Sequence, residues 1–364
     1  TSGGVMANFI AMACARDVHL ARLRGADRAP RGRDLEGVRV YASDQTHFSI
    51  GRALDELGFP AETLVAVPAD ADFRLRGEPV AAAIAADRAK GLLPLAICAV
   101  AGSTNTGSVD RVGELAAVAR AESTWLHVDA AYGAAARLSP RDAGRVPDLE
   151  LADSVTVDPH KWLFQAYDIG GVMLRDGEHL RVAFGGRRPE YYRGGDRRPE
   201  GAAAASGDAP AADDHDAPDQ LNFWRLGFEG TRRWRALKLW TSWKHVGSSG
   251  FARLVEANVD LAAHLAARIA ASDDFEALPA SPELSVVCFR HLPAGRGGAV
   301  ADANDLDAHQ DRLQHALEAS GDGWLSTTRL RGATYLRAGI VNTQATIADV
   351  DLLLERLRAL AAGL

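Results

Sequence analysis

The stretch Ser154-Val-Thr-Val-Asp-Pro-His-Lys-Trp162 decides how this chain is expected to fold. It predicts a buried β-strand that stops at Pro159 and presents His160 and Lys161 at its carboxyl end. A lysine directly after a β-branched apolar run loses hydration, which favours the neutral amine that a Schiff-base lysine needs. The alternative is a strand-end lysine that reaches solvent, and this short stretch alone does not decide between the two.

On both sides of this stretch, strand and helix patterns alternate. Strands are predicted at 38–42, 63–67, 95–100, 124–128, 154–157 and 170–174, the last being an edge or antiparallel strand. Helices are predicted at 9–23, 48–57, 80–89 and 112–121, since their apolar residues recur at helical spacing. This order predicts an α/β fold with a largely parallel sheet, which binds ligands at the carboxyl ends of its strands.

Composition narrows the class of protein. The chain has 364 residues, of which 47% are apolar and 24% charged, which is typical of about two globular domains. A net charge of -7 argues against nucleic-acid binding as the main function. No apolar run is long enough for a membrane span, and no signal-peptide pattern opens the chain. Cys14, Cys98 and Cys288 lack metal-ligand spacing, so we expect small buried side chains in a reducing cytoplasm.

Four predicted strand ends deliver His47, Thr104, Asp129 and Lys161 to one rim of the sheet. A buried Asp129 carboxylate needs a cationic partner such as a protonated pyridine nitrogen, although it could also cap a helix. His47 could stack on a flat cofactor, act as an acid or base, or be structural. Thr104 could orient its neighbours or belong to a turn.

The first residues, Thr1-Ser-Gly-Gly-Val-Met-Ala-Asn8, form a Gly-rich turn that opens a helix. The free N–H groups of such a turn hold an anion such as phosphate, or the turn simply caps the helix. Together, this turn and the four rim residues predict a binding site for a phosphorylated pyridine aldehyde. A domain rarely starts at a ligand loop, so we expect an upstream segment that is missing or supplied by another chain.

Four motifs carry a family resemblance: T-S-G-G-x-x-A-N at 1–8, S-D-Q-T-H at 43–47, H-V-D-A-A-Y-G at 127–133 and D-P-H-K-W at 158–162. The chain resembles the pyridoxal-phosphate-dependent group II amino acid decarboxylases, relatives of aromatic amino acid and glutamate decarboxylases. The resemblance continues through 230–240 and 335–342, so it covers nearly the whole chain.

The resemblance implies an aspartate-aminotransferase-like fold, known as PLP fold type I. Its large domain, residues 1–250, would hold a mostly parallel, seven-stranded sheet and a mobile loop at about 186–220. Residues 251–364 would form a small C-terminal α+β domain, with strands at 285–290 and 334–340 and helices at 251–271, 306–319 and 347–361. A homodimer is also implied.

The cofactor implied by the resemblance is pyridoxal 5'-phosphate. Lys161 is then the aldimine lysine, Asp129 the partner of the pyridine nitrogen, and His47 the residue stacked on the ring. The remaining cofactor-binding residues implied by the resemblance are Gly3, Gly4, Val5, Thr104, Ala131, Asp158 and His160.

Three departures from the family pattern matter. We expect the N-terminal segment that relatives pack on the dimer partner to be absent, and Val5 replaces a hydroxyl that often contacts the phosphate. The loop tyrosine that returns a proton to the substrate in aromatic decarboxylases falls near Leu221, and Tyr191 and Tyr192 lie roughly thirty residues upstream.

Residues 193–217 are rich in Gly, Ala, Pro and Asp. They form either an insertion without function or an active-site lid, with His215 as a candidate proton donor. A helix is predicted at 231–246, whose Arg232 and Arg233 could meet the substrate carboxylate, the partner subunit or solvent.

The expected reaction is decarboxylation of an L-amino acid, aromatic substrates being favoured, to give the amine. Because Leu221 is not a proton donor, decarboxylation-dependent oxidative deamination to an aldehyde is the alternative. The Leu221-Asn222 pair also resembles relatives acting on diamino or acidic substrates. A non-catalytic or split-enzyme subunit that needs a partner is a hypothesis of another class, and an aminotransferase is a further enzymatic one.

Overall fold

The computed structural model describes residues 1–185, 223–293, 295 and 303–364. The larger of its two sheets is built from Val38–Ser43 (β1), Leu64–Val67 (β2), Leu93–Val100 (β3), Trp125–Asp129 (β4), Ser154–Val157 (β5) and Gly171–Leu174 (β6). The strand order is β2-β1-β3-β4-β5-β6. The first five strands run parallel, and β6 pairs antiparallel with β5 at the edge.

This arrangement confirms the predicted α/β class, the mainly parallel sheet and the antiparallel edge strand. The seven-stranded count was wrong for the part of the chain that the structure describes, where the sheet has six strands. The predicted mobile loop, together with Tyr191, Tyr192, His215 and Leu221, lies outside the described residues.

Helices cover both faces of this sheet, as a parallel sheet requires. They are Gly4–Cys14 (α1), Ala21–Arg24 (α2), Ser49–Glu56 (α3), Gly77–Ala89 (α4), Val112–Ala121 (α5) and Glu178–Phe184 (α6), with a π-helical segment at Ala15–Leu20 between the first two. In β3, Ile97 and Ala99 belong to one hydrophobic core, while Ala96 and Cys98 belong to the core on the α1 side. Alternate residues of a strand point to opposite faces, which explains this division.

The C-terminal part forms a second, antiparallel sheet of four strands in the order β7-β8-β10-β9. Its strands are Phe275–Ala277 (β7), Val286–His291 (β8), Ser326–Leu330 (β9) and Ala333–Gly339 (β10). Its helices are Ala303–Ser320 (α8) and Ile347–Ala361 (α9). The prediction of a small α+β unit is confirmed, although β7 and β9 were not predicted. The division at residue 250 stays a prediction.

One long helix, Ala236–Ala270 (α7), connects the two parts of the chain and is interrupted at Gly247, where φ is +72°. The prediction that this helix begins at residue 231 was wrong, because it begins at Ala236. There Arg235 pairs with Asp168 at 3.0 Å and with Glu229 at 3.2 Å, and these contacts fix an irregular segment before the helix begins.

All three cysteines are buried and unpaired, as expected. Among the described residues, no helix combines the length and apolar character that crossing a bilayer demands.

Candidate functional site

The carboxyl ends of the central strands meet around one cavity of about 110 Å³. Its lining includes five of the residues singled out from the sequence: His47, Thr104, Asp129, Ala131 and Lys161. They come from four separate segments of the chain, and each segment follows a parallel strand. The parallel sheet brings them together because the carboxyl ends of its strands share one edge.

The Lys161 side chain points its amine toward a carboxylate. Its Nζ lies 3.3 Å from Oδ2 of Asp158, and the side chain is 38% exposed. Of the two readings that the sequence left open, full burial of this lysine is therefore wrong. The chain turns after Asp158, since the N–H of Lys161 donates to the carbonyl of Asp158, and this turn carries the side chain out of the strand and into the open cavity.

The Gly-rich turn packs directly against the D-P-H-K segment. A Cβ atom on Gly4 would lie 2.8 Å from Oδ2 of Asp158, and one on Gly3 would lie 3.1 Å from the His160 ring. A Cβ on Gly170 would lie 2.5 Å from Cα of Gly3. Gly170 therefore approaches the backbone of Gly3 too closely for any side chain, and the turn leaves the first N–H groups of α1 beside Asp158 and His160.

Gly3, Gly4, Asp158, His160 and Val5 do not line this cavity, and the side chain of Val5 lies in a different one. Its side chain is 38% exposed and lines a separate surface cavity of about 400 Å³, together with Met6, Phe9 and Phe228. Only the backbone of Val5 is thus available to a ligand at the start of α1.

Asp129 is buried, with 6% of its surface exposed. Its Oδ1 accepts a hydrogen bond from the N–H of Ala131 at 3.1 Å, and its Oδ2 accepts one from Nδ2 of Asn8 at 2.8 Å. Each carboxylate oxygen can accept a second hydrogen bond. Asp129 can therefore bind an N–H donor placed in the cavity.

His47 is half-buried, and burial lowers the pKa of its imidazole while the Asp129 carboxylate partly opposes that shift. Its Nδ1 lies 2.8 Å from the Ser49 hydroxyl. Burial lowers the pKa of His160 as well, with Asp158 opposing the shift. Both imidazoles are therefore neutral at physiological pH.

Arg337 on β10 also lines the cavity, and sequence reasoning did not single it out. Its Nε donates to the carbonyls of Thr104 at 2.7 Å and Asn105 at 3.1 Å. It places a guanidinium from the C-terminal sheet in the same cavity as Lys161. The motif Y-L-R-A-G-I-V-N carried the signal, because a charged residue interrupts an apolar strand there.

A buried polar layer that lies behind Asp129 was also not predicted from the sequence. Asn8, Ser49, His127, Ser154 and Thr156 are all buried between α1, α3 and the sheet. The signal was the alternation of polar residues in two apolar strands, H-x-D at 127–129 and S-x-T at 154–156. Since β4 and β5 pair His127 with Ser154 and Asp129 with Thr156, these four side chains share one face of the sheet.

The described residues fit a phosphorylated pyridine aldehyde. The cavity offers an amine at Lys161, a hydrogen-bond acceptor at Asp129 and a flat imidazole at His47. The exposed N–H groups at the start of α1 suit a phosphate. Oδ1 of Asp158 is buried and has no hydrogen-bond partner within the described ranges. This oxygen could therefore accept a hydrogen bond from a bound group.

Comparison with known proteins gives one family model, the pyridoxal-dependent decarboxylase conserved domain, which matches residues 1–198 and 210–292. An aromatic-L-amino-acid decarboxylase of Bacillus atrophaeus is 33% identical over 360 residues, covering 99% of this chain and 68% of that protein. An L-2,4-diaminobutyrate decarboxylase of Rhizobium meliloti is 32% identical over 357 residues, covering 98% and 64%. A phenylacetaldehyde synthase of Petunia hybrida is 28% identical over 323 residues, covering 88% and 60%.

Among solved structures, Oryza sativa TDC with PLP and tryptamine superposes with a TM-score of 0.85 at 27% identity. The match covers 100% of this chain and 69% of that chain.

Proposed function

The chain belongs to the pyridoxal-dependent decarboxylase family, and from that premise we propose that it removes the α-carboxylate of an L-amino acid and releases the amine. The observation that carries the proposal is the single cavity lined by Lys161, Asp129, His47 and Arg337. Each of these residues has a separate part in the reaction, and pyridoxal 5'-phosphate is the cofactor they hold.

Bound pyridoxal phosphate supplies a protonated ring that accepts the electron pair released when the bond between Cα and the carboxylate breaks. Lys161 holds the aldehyde group through its amine. Asp129 would keep the pyridine nitrogen protonated, because a carboxylate favours the cationic form of a neighbouring group. It already accepts two hydrogen bonds and has lone pairs free for this third donor. Gly3, Gly4 and Val5 contribute backbone N–H groups to the phosphate.

Arg337 is the residue we assign to the substrate carboxylate. It is a guanidinium in the same cavity as Lys161, and its Nε is held by two backbone carbonyls. That anchoring leaves the terminal nitrogens available for a carboxylate, for which the planar guanidinium is suited. Thr104, whose carbonyl is one of the two anchors, thus contributes through its backbone.

Aromatic amino acids are the favoured substrates in this proposal, supported by the 33% identity to the Bacillus aromatic-L-amino-acid decarboxylase. The Rhizobium relative acts on L-2,4-diaminobutyrate according to its name, so diamino acids belong in the same assay.

Aldehyde formation is the second candidate. It is favoured by Leu221 at the position of the loop tyrosine and by the similarity to the Petunia phenylacetaldehyde synthase. In that reaction an amino acid, dioxygen and water give the aldehyde, carbon dioxide, ammonia and hydrogen peroxide. Dioxygen is the oxidant, and it is reduced to the peroxide.

We also propose a homodimer. Several aromatic side chains are largely exposed in the single chain, among them Phe228 at 69%, Trp234 at 75% and Trp240 at 58%. Exposed apolar surface of this kind is typical of protein interfaces. Light scattering should give a mass of about twice 38.7 kDa, and a monomer at assay concentration would contradict the dimer.

The test of function is mass spectrometry of the products after the pyridoxal-phosphate-loaded protein is incubated in air with L-amino acids. Amine with carbon dioxide supports the decarboxylase, and aldehyde with peroxide supports the second candidate. Lys161→Ala should abolish both products and the absorbance band that the cofactor acquires on binding. Lys90→Ala removes an exposed lysine whose amine pairs with the buried Asp87 at 3.6 Å, and it is the matched control. A variant without Lys161 that turns over normally would refute the assignment.

A further inference from the structure

Asn8 lies at the centre of the buried polar layer and is only 1% exposed. Its Nδ2 donates to Oδ2 of Asp129 at 2.8 Å and to Oγ of Ser49 at 2.8 Å. Its Oδ1 accepts from Oγ1 of Thr156 at 2.6 Å and from the Nε2 atom of His127 at 3.0 Å. A side-chain amide has two donor hydrogens and two acceptor lone pairs, so Asn8 uses its full capacity.

These partners fix which way the amide faces. Rotating it by half a turn would set its oxygen against the Asp129 carboxylate and its NH₂ group against a hydroxyl and an imidazole N–H. An ionised carboxylate only accepts hydrogen bonds, so the rotated amide would leave Asp129 without this donor. The orientation of the amide thus keeps an N–H donor on the Asp129 carboxylate.

The same amide determines what Ser49 does. Because Oγ of Ser49 accepts from Asn8, its own hydrogen is directed to Nδ1 of His47 at 2.8 Å. The backbone N–H of Ser49 also donates to that nitrogen at 3.3 Å. With Nδ1 of His47 accepting, the neutral ring carries its proton on Nε2.

We propose that Asn8 is a positioning residue for two cavity residues at once: it holds the Asp129 carboxylate through an N–H donor and, through Ser49, makes His47 an Nε2–H donor. The roles of both residues rest on the proposed function. The neutral His47 ring can then donate a hydrogen bond from Nε2 to a group in the cavity, and it cannot take up a proton at that atom. Of the alternatives open from the sequence, this assigns His47 the donor role.

The tautomer is measurable without cofactor or substrate. Long-range ¹H–¹⁵N NMR of protein labelled with ¹⁵N-histidine reports which ring nitrogen is protonated, and His47→Gln identifies the His47 signals. We expect Nδ1 at the shift of an unprotonated nitrogen and Nε2 at that of a protonated one. In Ser49→Ala the two shifts should move toward each other, because Nδ1 loses the hydroxyl donor at 2.8 Å and keeps only the longer bond from the backbone N–H at 3.3 Å. A proton on Nδ1 in the unmodified protein, or unchanged shifts in Ser49→Ala, would overturn the proposal.

The hydrogen bond from Asn8 to Asp129 is tested by Asn8→Asp. This variant keeps the shape of the side chain but replaces the NH₂ donor by a second carboxylate oxygen. We expect pyridoxal phosphate affinity at pH 8 to fall at least about tenfold, the usual effect of losing a hydrogen bond to a charged group. The matched control is Asn258→Asp. Asn258 is also 1% exposed, but it bonds Trp162 and Asn342.

An affinity change within about twofold is expected for that control, and equal losses in the two variants would overturn the proposal for Asp129. If Asn8→Asp does not fold, the His47 tautomer in Ser49→Ala decides. Failure of the unmodified protein to bind pyridoxal phosphate would refute the proposed function and leave the tautomer measurement valid. Normal decarboxylation with the His47 proton on Nδ1 would refute only the positioning role.

Discussion

The histidine behind the cofactor pocket should make the stability of this protein depend on pH. His127 is fully buried in β4, its Nδ1 facing the Ser154 hydroxyl at 2.8 Å and its Nε2 facing Asn8. Burial lowers the pKa of this imidazole to about 4, against 6.5 for an exposed histidine. The folded protein therefore excludes a proton that the unfolded chain takes up below pH 6.5.

The sign and size of the effect follow from that difference. Between pH 6.5 and about 4 the unfolded state binds one more proton than the folded state, so the free energy of unfolding falls as the pH falls. Each pH unit contributes about 1.4 kcal/mol at most, which gives about 3 kcal/mol over the whole window and about 2 kcal/mol from pH 6.5 to 5. Above pH 6.5 the contribution of His127 is fully present.

The assay is urea unfolding of cofactor-free protein between pH 5 and 8, since a bound ligand would add its own pH dependence. His127→Gln lacks the titrating group and should show a flatter curve. The stability difference between the unmodified protein and this variant should shrink by about 2 kcal/mol from pH 6.5 to 5. The control is His245→Gln, which alters an exposed histidine on α7 and should leave the pH dependence unchanged. Parallel curves for the unmodified protein and His127→Gln would refute the reasoning.

Three further predictions concern the cavity. Asp129→Ala should lower the rate of carbon dioxide release at least about 100-fold in single-turnover assays, because the electrostatic partner of the ring is lost; near-normal turnover would contradict its role. Arg337→Gln should lower kcat/KM about 10- to 100-fold while Arg337→Lys recovers part of it, and equal values for all three proteins would rule out carboxylate binding. Gly170→Ala should weaken pyridoxal phosphate binding, because its Cβ would displace Gly3. Gly171→Ala, whose Cβ would have its nearest neighbour at 3.7 Å, should bind normally, and equal affinities would exclude this packing argument.

The sequence was a good guide to the strands that build the site. Apolar runs predicted β5 and α5 with their observed bounds and most other elements to within a few residues. It failed where long-range contacts decide the local structure. The segment before α7 carries a helical pattern, but ion pairs of Arg235 hold it in another conformation.

The sequence by itself determined the fold class and the chemistry of the rim, because strand periodicity and the residues at strand ends are local properties of the chain. Only the tertiary structure decided which groups act together. The β4–β5 register places His127 and Asp129 beside Ser154 and Thr156, α1 adds Asn8 above them, and β10 brings Arg337 from far along the chain. Such contacts depend on strand register and helix packing between distant segments, and no local pattern encodes these.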